Sequence, residues 1–159
     1  SLLPKQGDDH IEPFITHWVE QVVPAYYELL RAPSEQQAQA RRYPLLQALS
    51  ELENLFLTRQ GFGDDEAESP FLCDEFSLAE VVAAPWAERM LLMLPHWRAF
   101  ELTGLIQSVG LDRTHRWLLA VPAAWSSAPL HTPLHSARAR LPRLLRARLA
   151  APGGSAFPE

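Results

Sequence analysis

Apolar residues in this chain recur at three- and four-residue spacing and almost nowhere in alternation, so the pattern predicts helices and no strand. In the first stretch, Asp8 to Ala32, the residues Ile11, Ile15, Trp18, Val19, Val22, Tyr26 and Leu29 lie along one stripe of an amphipathic helix. Asp8 or Asp9 is its expected N-cap, because a short carboxylate accepts from the first free N–H groups. Pro24 falls inside the stripe and is expected to bend the helix, since it has no N–H to give back to the preceding turn. A second helix is predicted from Ser34 to about Arg59, with Ser34 and Gln37 at capping-box spacing. Its core stripe is Leu45, Leu49, Leu52 and Phe56, and Pro44 is expected to divide it. The acidic, turn-rich stretch GFGDDEAESP, Gly61 to Pro70, reads as a surface loop.

The firmest helix start is FSLAEVVAAPWAER, Phe76 to Arg89. Ser77 can cap the backbone N–H of Glu80 while the Glu80 carboxylate reaches back to the N–H of Ser77, and Phe76 and Val81 occupy the two positions of a hydrophobic staple. This helix is expected to bury Val81, Val82, Pro85, Trp86 and the aliphatic stem of Arg89, to bend at Pro85 and to end near Leu94. Beyond Pro95 shorter pieces are predicted, His96 to Leu102 and Leu111 to Val121, the latter starting near Asp112 or Thr114 and stopping at Pro122. A final Leu/Arg-rich segment, about Ser136 to Ala150, is interrupted by Pro142, and PGGSAFPE has the composition of disordered chain. Five or six helices and no sheet make an all-α bundle.

Composition fits one such bundle. The 159 residues, 47% apolar and 21% charged, suffice for a single globular core. No apolar run approaches the roughly 20 residues that span a bilayer. The only cysteine, Cys73, excludes an intrachain disulfide and fits a reducing, intracellular compartment, with cytoplasm, chloroplast and mitochondrion not distinguished. The first residue is Ser1, so a processed product or part of a longer chain is expected.

Charge divides the chain. Residues 1–130 hold nine Lys/Arg against eighteen Asp/Glu, whereas residues 131–159 hold five Arg against one Glu. An acidic body repels the phosphates whose neutralisation drives non-specific binding, so nucleic acid is excluded as a partner. The tail cations Arg138, Arg140, Arg143, Arg146 and Arg148 stand among leucines. Such a basic amphipathic segment suits an acidic protein surface or anionic lipid, and the alternatives are a solvated extension or a helix packed on its own body.

Other chemistry is sparse. Cys73 precedes a helix start by four residues, but no His or Lys lies close in sequence to lower its pKa, which favours a structural role. His131 and His135 have the spacing of a helical metal pair, yet Pro133 separates them and no further ligand converges, so no metal is expected. Asp8-Asp9-His10 reads as helix-start chemistry.

Four stretches, covering roughly residues 1–132, resemble the C-terminal helical domain of glutathione transferases, most closely the omega-like classes. They are SLLP at Ser1–Pro4, VVPAYYELL at Val22–Leu30, FSLAEVVAAPWAER at Phe76–Arg89, and HRWLLAV at His115–Val121. Two departures stand out: Leu72-Cys73-Asp74 replaces the family's glycine-bearing entry loop, and Glu80 stands where Asp is usual. The resemblance implies a central helix beginning at Ser77. It also implies that glutathione and the catalytic residue belong to a thioredoxin-like half with no counterpart in these residues, so no catalytic residue and no cofactor are expected in this chain. Trp86 and Arg89, with Tyr26 beside them, correspond to the wall of the pocket for the second, electrophilic substrate. The alternative places Trp86 in the core and pairs Arg89 with Glu88 or Asp112.

The expectation is therefore a glutathione transferase-like helical domain over 1–132, with an Arg/Leu-rich, partly disordered tail over 133–159. Its function would be non-catalytic: a protein-interaction or structural subunit, bound to a protein partner or to a second copy. The alternative is the C-terminal half of a two-domain omega-like transferase or glutathione-dependent reductase, and a third is a bundle binding an apolar ligand between its helices.

Overall fold

The computed structural model describes residues 9–58 and 69–127, and among them it is helical without a strand. Five continuous helices follow one another: α1 (residues 11–30), α2 (residues 35–57), α3 (Leu78–Arg98), α4 (Leu102–Ser108) and α5 (Asp112–Ser127). The described residues up to Ala124 belong to one compact unit. The second unit begins at Trp125 and is described only as far as residue 127, the end of α5. Ser1–Pro4, Asp8, residues 59–68, the His131/His135 pair and all five tail arginines lie outside the described residues.

Helix α1 starts at Ile11 behind His10, whose backbone is already helical and whose side chain makes no cap; Asp9 sits one residue too early for the role expected of it. The buried face is Ile11, Phe14, Trp18, Val22, Tyr26 and Leu29. Phe14 replaces Ile15 on it, and Val19 is 47% exposed. The reason is a π-helical turn over Trp18–Val22, in which Val23 N–H bonds to the Trp18 carbonyl five residues back. A wider turn lets buried positions step by four from Phe14 to Tyr26 without drifting off the face, and Val19 is rotated outward. It lies immediately before Pro24, whose ring crowds the turn behind it and which cannot donate there.

Helix α2 is capped by Ser34, whose Oγ accepts from Gln37 N–H at 3.2 Å. It runs through Pro44 without division. Its last turn, Glu53–Leu57, is again π-helical, closed by Thr58 N–H to the Glu53 carbonyl at 2.8 Å. The wide turn brings Glu53 and Leu57 into the interior and leaves Leu55 63% exposed. His17 Nε2 lies 2.9 Å from the Ala48 carbonyl and ties α1 to α2.

Helix α3 differs most from its expected form. Its buried face is Ala79, Glu80, Ala83, Ala84, Ala87, Met90 and Leu94, while Val81, Val82, Pro85 and Trp86 are half-buried and Arg89 is exposed. A face made mostly of alanine lets neighbouring helices approach closely, and the larger residues fill the flanks. The helix continues through both Pro85 and Pro95 to Arg98, so the expected stop near Leu94 and the separate piece from His96 do not occur. Each proline removes one backbone bond, and the packing of a long helix on both sides outweighs that loss. What ends α3 is Ala99, in the left-handed region at φ 47°. The Leu94 carbonyl accepts from both Ala99 and Phe100 N–H there. Arg98 turns back from this end to the end of α1, donating through Nε and Nη2 to the Leu30 carbonyl (3.1 and 2.6 Å) and through Nη2 to Ala32 (2.6 Å). A cation on free carbonyls complements the negative end of α1.

A left-handed alanine carries a steric cost of about 1–2 kcal/mol that glycine avoids, against about 0.5–1 kcal/mol of extra backbone entropy for glycine. Ala99→Gly is therefore expected to stabilise the fold by about 0.5–1 kcal/mol, read as a higher urea midpoint at unchanged slope.

Helix α4 has a different stop. Gly110, at φ 80°, follows its last residues, with Gly110 N–H on the Gln107 carbonyl and Leu111 N–H on the Ile106 carbonyl. That is a Schellman closure, and its two flanking apolar residues, Ile106 and Leu111, are both buried. Helix α5 starts directly after it and continues through Pro122, which was expected to end it.

Candidate functional site

Glu80 is fully buried at the first turn of α3, and its carboxylate is a junction. One oxygen, Oε2, accepts from the backbone N–H of Ser77 (2.8 Å) and from its hydroxyl (2.6 Å). The other, Oε1, accepts from Leu72 N–H in the entering loop (2.8 Å) and from Trp117 Nε1–H on α5 (3.0 Å). Ser77 Oγ in turn accepts from Ala79 N–H at 3.2 Å, so the capping box legible in the sequence is formed. The link to Leu72 explains how a loop without glycine enters this helix: the carboxylate itself holds the chain that precedes the cap.

A second buried carboxylate does the same work at α5. Leu111, the residue before that helix, has no side-chain acceptor. Glu53, from the wide last turn of α2, supplies one: Oε2 accepts from Thr114 N–H and Thr114 Oγ1–H, each at 2.6 Å, and Oε1 from Arg113 N–H at 3.2 Å. A negative group at a helix N-terminus also meets the positive end of the dipole. The buried polar or charged residues among those described are Glu53, Ser77, Glu80 and Thr114, and all four belong to these two caps. Between the caps lies an aromatic cluster in which Phe14, Trp18 and Trp117 contact one another at centroid distances of 5.2–6.3 Å.

The residues singled out as a pocket wall, Trp86, Arg89 and Tyr26, come together on the flank shared by α1 and α3. The Arg89 guanidinium lies 5.0 Å from the Trp86 ring centroid, and the Trp86 ring meets Tyr27 edge-on at 5.5 Å. Tyr27 also contacts Tyr26 at 5.3 Å and carries the Arg31 guanidinium 4.9 Å from its centroid. Arg89 therefore lies over an indole, and among the described residues no ion pair joins it to Glu88 or Asp112. Trp86 is half-buried, a flank residue and not a core one.

Tyr26 is buried at 1% exposure. Desolvation lifts its hydroxyl pKa above the ordinary 10.0, the neighbouring Tyr27 adds to the rise, and Arg89 opposes it. The hydroxyl stays protonated in the folded protein where an unfolded tyrosine ionises. Above about pH 10 the unfolded state therefore binds fewer protons than the folded one, and stability falls as pH rises until the folded group itself ionises. Denaturation midpoints should decline above about pH 10, and Tyr26→Phe should flatten that decline.

Cys73 is half-buried in the loop held by Glu80, where its carbonyl accepts from Ser69 Oγ at 3.1 Å. Among the described residues no group of three or more His, Cys, Asp or Glu could hold a metal, and no helix is long and apolar enough to cross a membrane. Sequence reasoning missed Glu53, Arg98, Tyr27 and Arg31. Glu53 had a signal, since it falls on the apolar stripe four residues after Leu49 and four before Leu57; the other three had none that distinguishes them from solvated surface. Compared with known proteins, the chain matches no family model and has no significant match among curated proteins or among solved structures.

Proposed function

We propose that these helices form a domain of the glutathione transferase C-terminal type, closest to the omega-like classes, and that it serves as a non-catalytic interaction or structural module. The observation that carries the reading is the use made of the interior: Glu53, Ser77, Glu80 and Thr114, the buried polar residues among those described, are all committed to capping helices. A carboxylate with every oxygen held by backbone and side-chain donors is architecture; general acid–base work needs one within reach of a substrate proton. The interior thus fixes a rigid frame, and the chemistry left for function lies on its surface.

A second reading is favoured by the gathering of Tyr26, Trp86 and Arg89 on one flank. There the domain would be the C-terminal half of an omega-like enzyme, and these side chains would face an electrophile. Immobilised glutathione separates the two readings when it is challenged with the native polypeptide, in which an enzyme would carry the thioredoxin-like half. Under the module reading the native polypeptide should pass through unretained and should not accelerate conjugation of glutathione to an electrophile. Retention or turnover by it would overturn the module and support the enzyme.

A further inference from the structure

Helix α3 is apolar on more than its core side. At about 100° per residue, its buried positions from Ala79 to Leu94 take up less than half of the circumference. The opposite arc carries Val81, Pro85 and Leu92, with Glu88 and Arg89 at its middle and His96 toward its end. Leu92 is 59% exposed, and Arg89 and His96 are exposed with it. On a helix at the surface of a bundle this arc is ordinarily polar. An apolar strip in its place, centred on two charges, marks a surface that meets another protein. The residues of the strip also stand in mirrored order. Pro85 and Leu92 are equally far from the midpoint between Glu88 and Arg89, and so are Val81 and His96.

We infer that α3 packs antiparallel on the α3 of a second copy of this chain, about a two-fold axis passing between Glu88 and Arg89. The inference rests on the module reading above and names the partner and the surface of such a module. Two-fold symmetry makes every contact reciprocal: where position i meets position j, j meets i. With the axis at that midpoint, Glu88 meets the partner's Arg89 and Arg89 meets the partner's Glu88. Pro85 and Leu92 cover each other in both directions, and Val81 lies against the partner's His96. An axis through Arg89 itself would instead bring two guanidiniums together, which like charge opposes. An unrelated protein would need charges complementary to this strip but would have no cause to match its mirrored order, which self-pairing explains. Both charges can serve the pairing. Arg89 touches the Trp86 ring and, among the described residues, has no carboxylate partner. Glu88 is engaged within its own chain, and a carboxylate has about four acceptor sites, enough to take a guanidinium as well.

Sedimentation equilibrium of the full chain should give twice the 17.9 kDa of one copy, dissociating on dilution. Glu88→Arg and Arg89→Glu each gather four like charges at the axis, and each should weaken self-association about a hundredfold or more. An equimolar mixture of the two variants should pair again, because opposite charges then face each other across the axis. A merely structural role for either side chain gives no such rescue. Leu92→Asp changes an exposed position, so it should abolish pairing while leaving the circular dichroism of the monomer unchanged. A monomer at every concentration up to the solubility limit, a dimer that survives Leu92→Asp, or failure of the two folded charge variants to pair on mixing would overturn the inference. None of these results touches the glutathione test. A monomer that glutathione does not retain leaves the module reading with a different partner, whereas retention of the native polypeptide removes that reading independently.

Discussion

Glu80→Ala is expected to destabilise the protein by about 4 kcal/mol, the largest loss from any single polar side chain described. Four donors converge on this carboxylate: Ser77 N–H, Ser77 Oγ–H, Leu72 N–H and Trp117 Nε1–H. The group is fully buried, so truncation leaves its donors facing a small apolar space, and each unsatisfied buried donor costs about 1–3 kcal/mol. Reorientation of the Ser77 hydroxyl and entry of solvent from the loop side offset part of this. A single-domain protein has only about 5–15 kcal/mol in hand, so the variant should unfold at a far lower urea concentration. Ser77→Ala sets the scale. It removes one cap acceptor and is expected to lose about 1 kcal/mol, within the usual range of about 0.5–2 for such caps. If Glu80→Ala proves no worse than Ser77→Ala, Glu80 is a local cap and not the junction of the loop, α3 and α5. Glu80→Gln retains one acceptor oxygen but turns an amide donor toward other donors, and should fall between the two. The Trp117 indole N–H resonance should move in both Glu80 variants and stay nearly still in Ser77→Ala.

That contrast also marks how much was legible in the sequence. Ser77 and Glu80 announced themselves because a capping box is a local device, written in four consecutive residues. Helical periodicity was equally local, and the absence of strands among the described residues follows from it. What could not be read is what depends on distant residues. Nothing near Trp117 says that its indole reaches Glu80, and nothing near Leu111 says that its missing cap comes from Glu53, roughly sixty residues earlier. The prolines misled for the same reason. Pro44, Pro95 and Pro122 each carry a local penalty, and a local reading ends or divides helices there; tertiary burial on either side decides otherwise. The stops of α3 and α4 lie instead at Ala99 and Gly110, both left-handed. Gly110 after Ser108-Val109 was a readable C-terminal signal, whereas nothing in an alanine betrays a positive φ. The π-helical turns at Trp18 and Glu53 have no sequence signature at all, yet they decide that Val19 and Leu55 face solvent and Glu53 the interior. At the candidate site, Trp86 and Arg89 were legible as a pair, and their connection through Tyr27 to Arg31 became visible only when α1 and α3 were brought side by side.

Glu53→Ala is expected to cost about 3 kcal/mol, for reasons that set it apart from an ordinary loss of a core group. Its three contacts are all with the N-terminus of α5, two of them to backbone N–H groups that no residue of α5 can satisfy. The carboxylate also brings a negative charge to the positive end of that helix, worth about 0.3–1 kcal/mol and up to about 2 where partly buried. Alanine removes acceptor and charge together; Glu53→Gln removes the charge but keeps one acceptor, so the difference between the variants reports the retained acceptor, and the loss already present in Glu53→Gln contains the charge. Amide exchange at Arg113 and Thr114 should quicken in both variants, while exchange early in α3 stays unchanged. Thr114→Val, which deletes one hydroxyl bond, should cost about 1 kcal/mol, and in a Glu53/Thr114 double-mutant cycle that hydroxyl term should disappear once Glu53 is alanine. The sharper consequence concerns the pair of carboxylates. Thr114 and Trp117 lie one turn apart on α5, so Glu53 and Glu80 grip the same turn from two sides. A helix already loosened at its start has less to lose from the second removal, and the combined variant should be destabilised by at least about 1 kcal/mol less than the two single losses added together. Strict additivity would mean that α5 is held at two independent points.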